Sequence, residues 1–232
     1  MPQQDFDLAD LAAYLHLTPQ QVEKLASRDK IPGRKVSGRW RFSQADVHHW
    51  LEDRIGVSNT DELERVEGNL DRHTKQESVS IKDMLAVDLI RIPLSGRSPK
   101  KIVTEICNVA ADTGRLWDVN KMVDAVLSRE SMHSTALDNG VALLHPRRPL
   151  PSILSEGFLA LGRSHSGIPF GGSRGILTDI FFLICSFDDR THLRTLARLS
   201  RVISDPEITR AIRESQDADE IYQLIVDKEE EL

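Results

Sequence analysis

Leu8, Leu11, Ala12 and Leu15 recur three and four residues apart, the spacing that gathers side chains on one face of a helix. Thr18-Pro19-Gln20-Gln21 then carries the signals of a second helix start. Thr18 can cap it, Pro19 suits its first turn and Gln21 can close a capping box. Lys30-Ile31-Pro32-Gly33 ends that helix, and Val36-Ser37-Gly38-Arg39-Trp40 predicts a tight hairpin turning at Ser37-Gly38. Ser43-Gln44-Ala45-Asp46 caps a third helix bearing Val47, Trp50 and Leu51, and Trp40, Phe42 and Trp50 are expected to face inward. Residues 1–56 therefore predict a small winged helix-turn-helix.

Between 57 and 78 the pattern fades. Asp61, Glu62, Glu64, Glu67 and Asp71 make this stretch polar and acidic, as in a linker. Residues 79–232 restore the alternation. Ser98-Pro99 opens a helix with Ile102, Val103, Ile106 and Val109 on one face, and Gly114 follows its end. Asp118 can cap the next helix, which carries Met122, Val123, Val126 and Leu127. Val141–Leu144, Gly157–Leu161 and Thr178–Cys185 predict strands, the last buried on both faces. Helices are expected at His192–Ile203, Pro206–Glu214 and Ala218–Asp227. The fold class is thus α/β, a mixed sheet flanked by helices, preceded by the winged helix-turn-helix.

Composition narrows the chemistry. At 40 % hydrophobic and 28 % charged residues the chain has the make-up of a soluble globular protein, and a net charge of −6 argues against coating nucleic acid with the whole surface. Cys107 and Cys185 lie in apolar runs and are expected to be buried, reduced thiols. No signal peptide precedes Asp5 and no uncharged apolar run reaches the ~18 residues of a membrane span, so a cytoplasmic location without membrane contact is expected. Neither HExxH nor CxxC occurs, and neither a metal nor an organic cofactor is expected. Among the histidines, His48 and His49 are expected to pack or to face solvent on the third helix, His73 falls in the linker, and His133 and His165 lie in polar stretches.

His145 is different. It ends the apolar run Val141–Leu144, follows Arg129-Glu130 and Asn139-Gly140, and precedes Arg147 and Arg148. An imidazole anchored through one nitrogen and set among fixed cations is suited to carry a phosphoryl group on the other. Arg129-Glu130, Ser134-Thr135, Asn139-Gly140-Val141-Ala142 and His145 resemble the signature of the enzyme IIA domains of the bacterial sugar phosphotransferase system. The likeness is to the fructose/mannitol class, which includes the nitrogen-regulatory IIA proteins, and it spans roughly residues 79 to 230. Thr191–Ser200 resembles the family's second-histidine helix. The resemblance implies that His145 accepts a phosphoryl group from HPr or an equivalent carrier, that His192 hydrogen-bonds the phosphoryl oxygens, and that Arg129 faces them, without a metal. One departure is Leu144, where the family usually has proline. Another is Asp138, a negative charge where many members have none.

The first fifty residues resemble the excisionase/MerR-type DNA-binding family, most specifically through Ile31-Pro32-Gly33, Lys35 and Ser37–Phe42. Asp10 stands where that family usually has Glu, and His16 where it has Gly. Six cations fall within residues 28–41, opposed only by Asp29, although residues 1–56 carry eight basic and eight acidic side chains. Gln20, Gln21, Glu23 and Lys24 are candidates for base contacts. Arg28, Lys30, Arg34, Lys35, Arg39 and Arg41 lie at the helix end and on the wing, where a phosphate backbone would run. A single winged unit holds little specificity, so a homodimer is expected on DNA.

Together these readings give a phosphotransferase-linked regulator in which the state of His145 modulates DNA binding or the choice of a regulatory protein partner. The alternative is a protein-interaction module of IIA fold, never phosphorylated, attached to a DNA-binding domain. A phosphocarrier component proper ranks third; a phosphoryl acceptor is the most enzymatic role any of these assigns.

Overall fold

The computed structural model describes residues 5–15, 17–57, 80–172 and 175–232. His16, His73 and all but Val57 of the expected linker lie outside them. The chain divides into two compact units, Met1–Gln76 and Glu77–Leu232.

The first unit runs α1 (Leu8–Leu15), α2 (Pro19–Ala26), β1 (Arg34–Val36), β2 (Arg39–Arg41) and α3 (Gln44–Val57). Its α2 starts as the capping box requires: the Gln21 N–H donates to Thr18 Oγ1 at 3.3 Å and the Thr18 N–H to Gln21 Oε1 at 2.8 Å. Ser37 and Gly38 take φ of 50° and 77°, the left-handed pair of a two-residue hairpin turn, and Val36 pairs with Arg39. Leu11, Val22, Ile31, Phe42 and Val47 form the core. Trp40 and Trp50 are only half-buried. Trp40 stacks on Phe42 at 5.9 Å between ring centroids, and the Lys35 ammonium sits 5.0 Å from its ring.

The second unit runs α4 (Ile81–Met84), β3 (Leu85–Leu94), α5 (Pro99–Asp112), α6 (Val119–Glu130), β4 (Val141–Leu144), β5 (Phe158–Ile168), β6 (Thr178–Cys185), α7 (Asp189–Ser204), α8 (Pro206–Glu214) and α9 (Ala218–Glu230). The sheet order is β3-β5-β6-β4, with β5 and β6 antiparallel and both outer strands parallel to their neighbours. The sheet differs from expectation in two places. β3 has no counterpart in the pattern read above, because Asp88, Arg91 and Pro93 interrupt its apolar positions. β5 continues past Leu161 to Ile168 through the polar Arg163 and Ser164, both buried.

Ala142 and Leu144 of β4 join Phe181 and Leu183 of β6 in a core against Ile102, Ile106, Met122 and Val126 of α5 and α6. Strand alternation turns Val141, Leu143 and the following His145 to the other face. Two polar ties close the unit. Arg163 Nη1 donates to the carbonyls of Ile212, Arg213 and Ser215 at 2.8, 2.8 and 2.6 Å, satisfying the end of α8. Near the end of α9, the buried Glu229 accepts from Ile81 N–H at 2.7 Å, Lys82 N–H at 3.0 Å, the Ser80 hydroxyl at 2.9 Å and Arg198 Nε–H at 3.3 Å. Among the described residues no helix is long and apolar enough to cross a membrane.

A histidine pair at the ends of two parallel strands

β4 and β6 run parallel, Val141 opposite Ile180 through Leu144 opposite Leu183, so both deliver their next residues to the same end of the sheet. From β4 comes His145. From β6 come Ser186 and Phe187, then Asp188, whose carboxylate caps α7 by accepting from Thr191 N–H at 2.9 Å. Three residues into that helix from Asp189 lies His192. The two buried imidazoles approach to 4.8 Å between centroids, with their planes at 49°. His145 Nδ1 lies 2.8 Å from the Leu143 carbonyl oxygen. A carbonyl only accepts, so Nδ1 carries the proton and Nε2 of the neutral ring carries the lone pair.

The start of β4 is fixed as firmly as its end. Asn139 Oδ1 accepts from Val141 N–H at 3.2 Å, and its amide donates to the Ile203 carbonyl at 3.0 Å. Gly140 has φ of 82°, and a Cβ there would stand 2.8 Å from Arg213 Nη2. That arginine donates to both Asp179 carboxylate oxygens at 2.7 and 2.9 Å and to the Asn139 carbonyl at 2.7 Å. Four strand residues then separate this anchor from His145.

Arg129 and Glu130 shape the loop beside β4. Arg129, buried, donates through Nη1 to the His133 carbonyl at 2.7 Å. Glu130 accepts from the Thr135 N–H at 3.2 Å and from the Thr135 hydroxyl. Ser134 Oγ donates to the Phe170 carbonyl at 2.7 Å. Leu143 N–H in turn donates to the Thr135 carbonyl at 3.3 Å, tying loop to strand. The Arg-Glu and Ser-Thr pairs thus have a structural use that the sequence pattern did not reveal.

Burial pushes the Glu130 carboxyl above its ordinary range, against the opposing pull of the Thr135 donors and Arg129. A carboxyl whose folded pKa is raised binds its proton more readily folded than unfolded. Its contribution to stability therefore falls as pH rises from the unfolded value through the folded one. Glu130→Gln should flatten that decline, measured by denaturant unfolding between about pH 4 and pH 7. Parallel curves for the two proteins would contradict it.

Elsewhere His133 and His165 are exposed, His48 is buried with Nε2 2.9 Å from Tyr14 Oη, and His49 is half-buried. Arg147 and Arg148 are exposed just beyond Pro146, and Asp138 is exposed before the Asn139-Gly140 turn. Both cysteines are buried and free, and burial pushes the Cys107 thiol up to about 12.

In the first unit Gln20, Gln21, Lys24, Arg28, Arg34, Lys35 and Arg39 are exposed and Arg41 is half-buried. Arg34 and Arg41 face each other across the hairpin and line a cleft of about 350 Å³ with Gly33, Ser43 and Asp46. Arg34 also pairs with Asp5 at 2.9 Å, an exposed contact worth little to stability.

A mixed sheet flanked by helices is the fold of solved phosphotransferase IIA proteins, and here it follows a helix-turn-helix domain. The chain belongs to the family "phosphoenolpyruvate-dependent sugar phosphotransferase system, EIIA 2", whose model matches residues 83–228; a helix-turn-helix domain model matches residues 6–55. It is 30 % identical over 148 residues to the nitrogen regulatory protein of Bradyrhizobium diazoefficiens, covering 62 % of this chain and 94 % of that protein. It is 27 % identical over 149 residues to the fructose-specific EIIABC component of Bacillus subtilis, covering 63 % of this chain and only 23 % of that larger protein. The crystal structure of IIA mannitol from Escherichia coli has the same fold, with a TM-score of 0.54 at 15 % identity over 61 % of this chain and 98 % of that one.

Proposed function

We propose that this protein is a phosphotransferase-linked regulator, with a DNA-binding domain at 1–56, a polar linker at 57–78 and a phosphoryl-accepting IIA domain at 79–232. The observation that carries the reading is His145 Nδ1 held 2.8 Å from the Leu143 carbonyl oxygen, with the His192 ring beside it. With Nδ1 so engaged, Nε2 is the nitrogen left to bond a phosphorus.

Phosphoryl transfer from an HPr-like carrier would proceed in line. A bond forms from Nε2 to phosphorus as the bond from phosphorus to the carrier breaks, and its electron pair leaves with the carrier. Nδ1 keeps its proton and its carbonyl partner throughout. His192 donates to the phosphoryl oxygens, and the Arg129 guanidinium, fixed by the His133 carbonyl, contributes positive charge. The exposed cations of the first unit and its winged pattern support DNA as the second partner, bound by a homodimer. Phosphorylation adds about 1.5 to 2 negative charges. The proposal is that this charge changes DNA affinity or the choice of a regulatory protein partner.

Coupling is tested by measuring the affinity of the full chain for one duplex before and after phosphorylation, with the phosphohistidine verified by mass. A difference of fivefold or more, roughly 1 kcal/mol, is expected. Equal affinities would reject modulation of DNA binding.

One observation favours the alternative of an unphosphorylated interaction module. Leu144, unlike the proline usual in the family, continues the pairing of β4 with Leu183 up to the residue before His145.

A further inference from the structure

Helix α2 sorts its own polar residues. A helix turns about 100° per residue, so with Gln20 taken as zero Lys24 lies at about 40°, while Val22 and Ala26 lie at about 200° and 240°. Val22 and Ala26 are buried, and Gln20 and Lys24 are exposed on the opposite face. Among the described residues neither of these two side chains has a hydrogen bond or ion pair. Gln21, at about 100°, lies on the flank and is already in use, its Oε1 accepting from Thr18 N–H at 2.8 Å. Reaching for a base would open the capping box that starts the helix.

Resting on the DNA-binding reading above, we infer that Gln20 and Lys24 are the residues of α2 that set sequence preference, and that Gln21 is a helix cap. Their chemistry names the bases. A glutamine amide offers one acceptor beside one donor and matches the N6 donor and N7 acceptor of adenine; an ammonium offers only donors and matches O6 and N7 of guanine. Four residues of helix rise about 6 Å, close to two base-pair steps of about 3.4 Å. The preferred site therefore carries an adenine and a guanine, read in the major groove, about two base pairs apart. Arg28, exposed at the helix end, contributes to all sequences alike as a phosphate contact.

The experiment is selection of duplexes from a randomised pool by the full chain and its variants at one fixed salt concentration. Wild type should enrich an adenine and a guanine at that spacing. Gln20→Ala should lose preference at the adenine alone and Lys24→Ala at the guanine alone, each by about 5- to 150-fold. Lys24→Arg should retain the guanine, and Gln21→Glu, which keeps the capping box, should leave both positions unchanged. Both preferences surviving Gln20→Ala and Lys24→Ala would overturn the assignment, as would their loss in Gln21→Glu. Salt-dependent binding of wild type without any enriched sequence would overturn it too, while leaving DNA binding intact. Failure of wild type to retain any duplex would remove the DNA-binding reading itself.

Discussion

His145→Ala is expected to take up no phosphoryl group when the full chain is incubated with enzyme I, HPr and phosphoenolpyruvate, whereas wild type gains about 80 Da. Intact mass under neutral conditions reads the difference directly. The tautomer names the reacting atom. With Nδ1–H held 2.8 Å from the Leu143 carbonyl, the reacting lone pair belongs to Nε2, and alanine removes it. His192→Ala should behave otherwise. It leaves the nucleophile in place and removes a donor to the phosphoryl oxygens, so uptake should still occur but slow by roughly 10²-fold. A wild-type chain that gains no mass, beside a carrier that does, would favour the interaction module. Equal rates for wild type and His192→Ala would leave His192 a packing residue.

Arg163→Met should destabilise the second unit by about 3 kcal/mol, because a buried guanidinium that satisfies three carbonyls leaves all three without a donor. The positive charge also opposes the negative end of α8. Methionine keeps much of the apolar stem in place, so lost packing is a small part of the effect. Arg163→Lys should recover only part, since an ammonium cannot reproduce the planar fork. Denaturant unfolding of the full chain, followed through the second unit's transition, measures both. A loss below about 1 kcal/mol would mean that water replaces the guanidinium at the helix end.

What could be read in advance followed how local each signal is. The α2 capping box, the Ser37-Gly38 turn and the Asp118 cap need only neighbouring residues, and all three form as the spacing predicts. β3 escaped because its partner, β5, lies some seventy residues downstream and its own pattern carries Asp88, Arg91 and Pro93. The far half of β5 escaped for a related reason. Arg163 and Ser164 look like a loop in sequence, and the carbonyls that make burying Arg163 worthwhile belong to α8, about fifty residues away. α9 runs one turn beyond its expected end, where Glu229 finds donors on α4. At the candidate site, the motif singled out His145 and His192, whose rings the structure brings within 4.8 Å, but not the work of Glu130 and Thr135. A short polar loop shows its hydrogen bonds only once the strand beside it is in place.

Glu229 also sets an order of events during synthesis. All four strands of the sheet have emerged once Cys185 leaves the ribosome, yet the carboxylate that caps the first turn of α4 is made 44 residues later. A nascent chain paused anywhere in that interval holds a complete set of strands, while the start of α4 rests on Ser80 alone, whose Oγ accepts from Lys82 N–H at 3.2 Å. Proteases and chaperones would meet it at Ser80–Lys82, whose hydroxyl and N–H groups gain the Glu229 carboxylate only when nearly all of α9 is made.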